Sequence, residues 1–131
     1  MPTEYRLDTN ILIYYFNDVH AVGERIERAA PARLPFITAV ELLHGAKRSA
    51  RRAENLRKYS DFLDGFLILY PSRPTLDIYS DLQLALGQRG TPIPQNDLWQ
   101  AAIAVQHQAV LVTNDEHFAS VPGLQTENWA R

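Results

Sequence analysis

The sequence has no cysteine, which excludes disulfides and zinc sites built from thiolates. No apolar run approaches the ~20 residues that a membrane-spanning helix needs. The first residues, MPTEYRLD, lack a basic segment followed by an apolar one, so we expect no secretory signal peptide. These absences together predict a cytoplasmic protein without a membrane anchor.

A large net charge is also missing. The formal charge is −2, and 46% of the 131 residues are hydrophobic while 21% are charged. A disordered chain would have fewer apolar residues and more net charge. The length fits one domain of ordinary size, so we expect a single domain over residues 1–131.

The basic residues are concentrated in one stretch despite the near-neutral total. Six of the thirteen fall within twelve positions, namely Lys47, Arg48, Arg51, Arg52, Arg57 and Lys58. If any surface of the protein binds a polyanion, we expect it to be this one. A solvated helix face would produce the same pattern and stays open as an alternative.

Short apolar strands alternate with helical segments along the chain. The predicted strands cover residues 5–7, 34–37, 66–69, 109–112 and 124–126. Helical spacing predicts helices over residues 11–16, 19–30, 38–46, 49–63, 75–88 and 95–107, with Pro31 and Gly90 as stops and a helical turn at Phe118. The apolar run at 66–69, FLIL, is typical of a strand buried on both faces. The alternation predicts an α/β fold with three layers, in which helices cover both faces of a mostly parallel sheet of about four to five strands.

Four acidic residues each stand where an apolar run meets the start of a helical stretch. They are Asp8, Glu41, Asp97 and Asp115, in the contexts YRLDTNILIYY, FITAVELLHGA, PIPQNDLWQAAIA and VLVTNDEHF. Strand-to-helix junctions of a parallel sheet lie along one edge, so acids that are distant in sequence can meet there. Converging carboxylates repel one another and lose hydration, which a cation would relieve. Hard oxygen ligands suit Mg²⁺ or Mn²⁺, and this points to metal-assisted phosphodiester chemistry.

Helix capping offers a structural explanation for each acid. Asp8 could cap the helix that follows it, and residues 38–41 (TAVE) match a capping box. In the Asn-Asp pairs at 96–97 and 114–115, either residue could cap the next helical segment. Capping does not require an acid at all four places, however, and the neutral Asn would suffice in both pairs. The two aspartates are then free to point elsewhere.

Other catalytic patterns are missing from the sequence. There is no G-x-S-x-G elbow, no P-loop and no G-x-G-x-x-G motif. The histidines lack the spacing of a metal motif, although His44 and His117 are close enough to the acids in sequence to contact a substrate. An aspartyl-phosphate phosphatase would need a second Asp two residues after Asp8, where Asn10 stands.

Taken in order, the segments LDTNILIYYF, TAVELLHGA, NDLWQAAIA and VTNDEHF resemble the PIN-domain family and, within it, the VapC-type toxins of toxin–antitoxin pairs. The resemblance covers residues 7–118. It implies that the acidic cluster of the family falls on Asp8, Glu41, Asp97 and Asp115, with Asn10 and Thr113 as supporting polar side chains. Gly45 fits a small residue of the pattern, whereas Trp99 stands where an aliphatic residue is more usual.

The resemblance implies a metal-dependent endoribonuclease that uses Mg²⁺ or Mn²⁺, with the number of ions left open. Asp8 and Asp97 would be the principal metal ligands, Asp115 would be a ligand directly or through water, and Glu41 belongs to the same ligand set. Glu41 would orient the water or act as general base, and Thr113 would hold a ligand or water by its hydroxyl. The candidates for RNA binding are Lys47, Arg48, Arg51 and Arg52.

Two protein partners are also implied by the resemblance, namely a cognate antitoxin that covers the acidic groove and a second copy in a homodimer. The side chains that could form an apolar groove for the antitoxin are Leu12, Tyr15, Phe16, Leu42 and Leu43. Core packing is the better explanation for any one of them. The stripe of Tyr79, Leu82 and Leu86 could serve either the dimer or the core.

Two other functions stay open. A non-cleaving module of PIN fold could bind RNA or protein and keep the acids only as caps, although four retained acids favour the enzyme. A metal-dependent DNA 5′-nuclease would share the fold, but such an enzyme needs an arch for threading DNA, for which 131 residues leave no room.

Overall fold

A five-stranded parallel sheet forms the centre of the protein in the computed structural model, which describes residues 3–17, 20–28 and 33–130. The strands are β1 (Tyr5–Leu7), β2 (Arg33–Pro35), β3 (Leu67–Leu69), β4 (Val110–Val112) and β5 (Gln125–Glu127). They lie in the order β3-β2-β1-β4-β5, and every neighbouring pair is parallel. The predicted parallel α/β sheet is therefore confirmed.

Helices connect the strands throughout the described residues. They are α1 (Thr9–Phe16), α2 (His20–Arg28), α3 (Phe36–Arg48), α4 (Arg52–Asp64), α5 (Arg73–Gln88), α6 (Gln95–Gln106) and a 3-10 helix (Glu116–Ser120). Each corresponds to a predicted segment, but both predicted ends of α2, and Pro31 after it, lie outside the described residues. No helix in the described part of the chain is long and apolar enough to cross a membrane.

Each face of the sheet has its own buried core. Leu7, Leu34 and Val112 project from their strands into a core shared with α1 to α4. Leu111 projects to the opposite face, where it packs with α5, α6 and the 3-10 helix. Successive strand residues point to opposite faces, so one strand can contribute to both cores. The result is the predicted arrangement of three layers.

The apolar side chains proposed as a partner groove belong largely to the first core. Leu12 and Leu42 are fully buried there. Tyr15 and Phe16 pack against the ring of Phe62, with centroid distances of 5.3 and 5.0 Å. Of the five proposed groove residues, Leu43 of α3 is the one outside that core, and it is half-buried. These side chains therefore do not form an open groove.

The stripe on α5 is also used in packing. Leu82 and Leu86 are buried in the second core. Tyr79 packs its ring on Trp99 of α6, with centroids 4.1 Å apart. Trp99 therefore fits its helix through an aromatic contact, and the stripe joins α5 to α6.

The boundary between β2 and α3 differs from the prediction. The strand ends at Pro35, and the helix begins at Phe36, two residues before the expected start. Thr38 therefore lies inside the helix, where its hydroxyl donates a hydrogen bond of 2.9 Å to the carbonyl of Leu7. The predicted capping box of residues 38–41 is wrong. The N-cap of α3 is Pro35, and its side chain makes no capping hydrogen bond.

The strand at FLIL is not buried on both faces. It begins at Leu67, whose side chain is 57% exposed, while Ile68 and Leu69 are half-buried. The reason is its position at the edge of the sheet, where β2 is its only neighbour in the described strand order. An edge strand can keep an apolar sequence without being enclosed by two layers.

The order of the strands determines where a site can form. The chain moves outward from β1 through β2 to β3, and then crosses to β4 and β5 on the other side of β1. Such a reversal leaves a crevice at the carboxyl ends of the two central strands. Here Asp8 follows β1 and Thr113 follows β4, and the backbone N–H of Asp8 donates to the carbonyl of Val112 at 2.9 Å.

Candidate active site

Asp8 is the most buried acid of the crevice, with 5% of its surface exposed. Its Oδ1 accepts a hydrogen bond of 2.7 Å from the backbone N–H of Thr9, so it caps α1 as the capping interpretation predicted. Its Oδ2 accepts a second bond of 2.8 Å from the hydroxyl of Thr113. Burial raises the pKa of Asp8, and hydrogen bonds from Thr113, Gln100 and Thr9 oppose that shift. The carboxylate is thus a cap that is also anchored across the crevice.

Glu41 lies in the second turn of α3 and faces the same crevice. Its Oε1 accepts a hydrogen bond of 2.8 Å from the hydroxyl of Thr9, and the side-chain amide of Gln100 lies 3.5 Å from the same atom. The charge of Glu41 contributes to the raised pKa values of Asp8 and Asp97. Glu41 is therefore held by α1 and α6 rather than by the start of its own helix.

Asp97 is the acid that experiences the strongest repulsion. Burial, followed by the negative charges of Asp8, Asp115 and Glu41, raises its pKa to about 6. Neither Asn96 nor Asp97 caps α6. The N-cap is Pro94, and its side chain makes no capping hydrogen bond. The interpretation of Asp97 as a possible cap is therefore wrong, and its side chain belongs to the crevice.

Asp115 completes the group at the end of β4. Its Oδ1 accepts from the backbone N–H of His117 at 2.9 Å, which caps the 3-10 helix, and the imidazole Nδ1 of His117 lies 3.1 Å from the same oxygen. The backbone N–H of Asp115 donates to the Thr113 hydroxyl at 3.0 Å. Asn114 is not the cap, since its amide donates to the hydroxyl of Tyr14 at 2.9 Å.

The structure brings all four predicted acids into one electrostatic cluster, with Thr113 bridging Asp8 and the Asp115 backbone. Asn10 lies exposed in the first turn of α1, and its supporting role stays a prediction. Of the two histidines considered, His117 joins the cluster, whereas His44 is an exposed residue of α3.

Two polar residues of the crevice were missed by sequence reasoning. Thr9 donates to Glu41, and Gln100 is a fully buried amide directed at Glu41 and Asp8. Gln100 could have been found as the only polar side chain within the sequence from Leu98 to Val105, which is otherwise apolar. Its position three residues after Asp97 puts it on the same side of α6.

The four basic candidates lie apart from the acids. Lys47 and Arg48 end α3. After a short connection, Arg51 is the N-cap of α4 and Arg52 is its first residue. All four are exposed. At about 1.5 Å of rise per residue, Lys47 is roughly 9 Å farther along the helix axis than Glu41. A polyanion that contacts both groups has to extend along α3.

The donor set of the crevice fits a divalent cation. Asp97, Asp115 and His117 each offer one ligand atom, and these atoms lie within 4.8 Å of one another. Burial and the charges of neighbouring acids raise the pKa values of Asp8 and Asp97, and a nearby cation would lower both values. The carboxylate oxygens suit Mg²⁺ or Mn²⁺, whereas an imidazole nitrogen is more typical of Zn²⁺, Cu²⁺, Fe²⁺ or Ni²⁺ sites.

Comparisons with known proteins agree with this geometry. The model of the PIN domain family matches residues 5–124. Ribonuclease VapC1 of Haemophilus influenzae is 33% identical, over 97% of this chain and 98% of the relative. The crystal structure of VapBC2 from Rickettsia felis, bound to a DNA fragment from their promoter, matches with a TM-score of 0.89 at 32% identity, covering 97% of this chain and 99% of that chain. VapBC-1 from nontypeable Haemophilus influenzae matches with a TM-score of 0.88 at 32% identity, covering 98% and 100%.

The three layers and the five-stranded parallel sheet are those of a PIN domain. The chain belongs to the PIN-domain family and, within it, to the VapC group.

Proposed function

We propose that this protein is a metal-dependent endoribonuclease and the toxin of a type II toxin–antitoxin pair. The observation that carries the proposal is the convergence of four carboxylates, from four separate segments, in the crevice between β1 and β4. Capping accounts for only two of them, because Glu41 and Asp97 make no cap contact. A relative that matches over 97% of this chain and 98% of its own length is named ribonuclease VapC1, which supports the same activity here.

Asp8, Asp97 and Asp115 would hold Mg²⁺ or Mn²⁺, with Glu41 in reach of the same position. When bound, the cation lowers the pKa of a water molecule and offsets the charge that develops on the phosphate oxygens. Asp8 is held for this purpose on both oxygens, by the Thr9 backbone and by the Thr113 hydroxyl. The ring of His117 holds Asp115 in a similar way.

Glu41 would act as the general base for the attacking water. Both of its described hydrogen bonds reach Oε1, from Thr9 and Gln100. Its other oxygen, Oε2, would accept the proton that the water loses as its oxygen bonds to phosphorus. The P–O bond to the leaving ribose oxygen would break in the same step, and that oxygen would take a proton from solvent. The two donors keep the carboxylate oriented toward the crevice while this happens.

The proposal includes a cognate antitoxin that covers the crevice. The two similar structures are VapBC complexes, which supports a partner of this kind. A basic side chain of the antitoxin would be attracted to the acidic cluster and would compete with the cation for it. A homodimer is part of the proposal as well.

The substrate of the proposal is RNA, and the exposed basic residues at the α3–α4 connection would hold its backbone. Phosphate groups bound there would lie along α3 from the acids, so that one strand contacts both regions. We also propose that residues 1–131 act as one PIN domain in the cytoplasm, where an RNA substrate would be met.

Cleavage of total RNA by the purified protein tests the proposal. Wild type with Mg²⁺ or Mn²⁺ should produce discrete fragments, and EDTA should abolish them. Asp8→Asn and Asp97→Asn should each reduce the rate by about 10²-fold or more, because each removes a charge from the metal centre. Asp77→Asn is the matched control, since Asp77 is an exposed acid on α5.

Intact RNA from folded, metal-loaded and antitoxin-free wild type would reject the nuclease for that RNA pool and favour a non-cleaving module. Cleavage that survives EDTA or Asp97→Asn would reject the metal centre.

A further inference from the structure

We propose that Gln100 is a positioning residue that joins Asp8 to Glu41 and thereby sets the affinity of the crevice for its divalent cation. The inference rests on the proposed function, because the cation belongs to that function. Gln100 has no exposed surface and lies on α6, three residues after Asp97. Its amide is therefore beneath the acids and out of contact with solvent.

The contacts of this amide link three elements of the fold. Its Nε2 lies 3.5 Å from Oε1 of Glu41 on α3, and the same amide lowers the pKa of Asp8, which follows β1. A side-chain amide has two N–H donors, enough for one carboxylate on each side. Unlike Lys or Arg, it carries no positive charge that would take the place of the cation. The amide can orient two ligands and leave their charge available.

Packing by itself does not explain an amide at this position. The next four residues of α6, Ala101 to Ala104, are apolar and buried. The carbonyl oxygen of Gln100, Oε1, is buried and has no hydrogen-bond partner among the described residues. An unpaired buried acceptor destabilises a fold, whereas an apolar side chain of similar size would avoid that cost. The donor on Nε2 is what the amide contributes in exchange.

The amide would raise the affinity for the cation because it orients the acids before the cation binds. Carboxylates that are already directed at the crevice lose less freedom when they bind an ion. Loss of such outer partners typically weakens metal affinity about 10–100-fold. Thr9 holds Oε1 of Glu41 from the other side at 2.8 Å, so the amide and the hydroxyl together define the position of that oxygen.

Gln100→Met tests the inference, because Met has a similar volume and no donor. Gln106→Met is the matched control: Gln106 lies on the same helix and is half-buried, and its hydrogen bonds go to Thr75 and Ser72, away from the acids. Mn²⁺ binding to the full chain is titrated by the electron paramagnetic resonance of free Mn²⁺. Thermal unfolding is measured with and without the ion.

We expect Gln100→Met to weaken Mn²⁺ binding about 10–100-fold and to reduce the Mn²⁺-dependent rise in Tm, while the metal-free protein still unfolds cooperatively. Gln106→Met should keep the Mn²⁺ affinity of wild type. Gln100→Leu should show the same loss as Gln100→Met and replaces it if that variant does not fold. In a double-mutant cycle of Gln100→Met with Glu41→Gln, the two losses of Mn²⁺ affinity should be less than additive, because Gln100 acts partly through Glu41.

An unchanged Mn²⁺ affinity in Gln100→Met, or an equal loss in Gln106→Met, would overturn the inference. Full additivity with Glu41→Gln would overturn it too. RNA cleavage is measured in parallel, so that the two proposals fail separately. If RNA stays intact while the affinities change as expected, the positioning role stands and the nuclease activity is rejected.

Discussion

At the scale of single residues, Asp97 shows most directly that the crevice disfavours ionised carboxylates. A carboxyl group usually titrates near 4, whereas burial and three neighbouring acids raise the pKa of Asp97 to about 6. Between these two values the folded protein binds a proton that the unfolded chain has lost. Protonation therefore favours folding in this window, and the free energy of unfolding falls as the pH rises through it.

Asp97→Asn should therefore stabilise the metal-free protein at pH 7.5, by about 1–3 kcal/mol if each pKa unit is worth ~1.4 kcal/mol. The same change should flatten the decrease in stability between pH 4 and pH 6. Thermal unfolding in EDTA across this range measures both effects. Asp77→Asn, at an exposed position on α5, should show the same pH dependence of stability as wild type. Equal pH profiles for Asp97→Asn and wild type would mean that Asp97 does not carry the repulsion.

At the scale of elements, a single hydrogen bond ties α3 to the central strand. Thr38 is fully buried, and its hydroxyl donates to the carbonyl of Leu7 at the end of β1. Asp8 is the next residue after Leu7, and Glu41 is one turn of α3 beyond Thr38. The bond thus connects the supports of two acids, so the register of α3 on the sheet affects the crevice.

Thr38→Val should lower the free energy of unfolding by about 1–2 kcal/mol, because a buried carbonyl loses its donor while the side-chain shape is kept. Urea unfolding should show a lower midpoint with an unchanged slope. RNA cleavage should fall further than the stability loss explains, since Glu41 moves with its helix. Thr126→Val, at an exposed position on β5, is the control. If Thr38→Val has the stability and the RNA cleavage rate of wild type, the hydrogen bond from Thr38 to Leu7 does not support the crevice.

At the scale of the whole molecule, two regions of opposite charge lie along the same helix. The acids occupy the crevice, and four exposed basic residues lie at the last turn of α3 and the start of α4, namely Lys47, Arg48, Arg51 and Arg52. A net charge of −2 does not reveal this separation. If the basic region holds the RNA backbone, its contribution depends on salt, whereas the metal centre is little affected.

Replacing the four basic residues with Gln should weaken RNA binding. Each phosphate contact with a single strand contributes ~0.7 to the slope of log affinity against log salt concentration, so the loss of four contacts should reduce that slope by up to about 3. The affinity is measured in an Asp97→Asn background, where the RNA is not cut. Arg73→Gln, at an exposed position on α5, controls for a simple loss of charge. The Mn²⁺-dependent rise in Tm, measured without the Asp97 change, should stay as in wild type. An unaltered salt slope would show that RNA binds elsewhere.

Local patterns in the sequence were sufficient for the elements and for the choice of the four acids. Apolar runs and helical spacing depend on nearby residues, which is why β1, β4 and α6 were predicted close to their observed bounds. The capping predictions were less successful. Asp8 and Asp115 do cap helices, but the capping box at residues 38–41 and the cap at 96–97 are wrong, because the helices begin earlier, after Pro35 and Pro94.

Contacts between distant segments were decided only by the tertiary structure. Strand order makes β3 an exposed edge although its sequence is typical of a buried strand, and it buries Arg6 in β1. The same order puts Asp8 beside Thr113 and lets Gln100 reach Glu41 across 59 positions of the chain. The physical reason is that hydrophobic periodicity specifies which face of an element is buried, whereas strand pairing specifies which elements become neighbours.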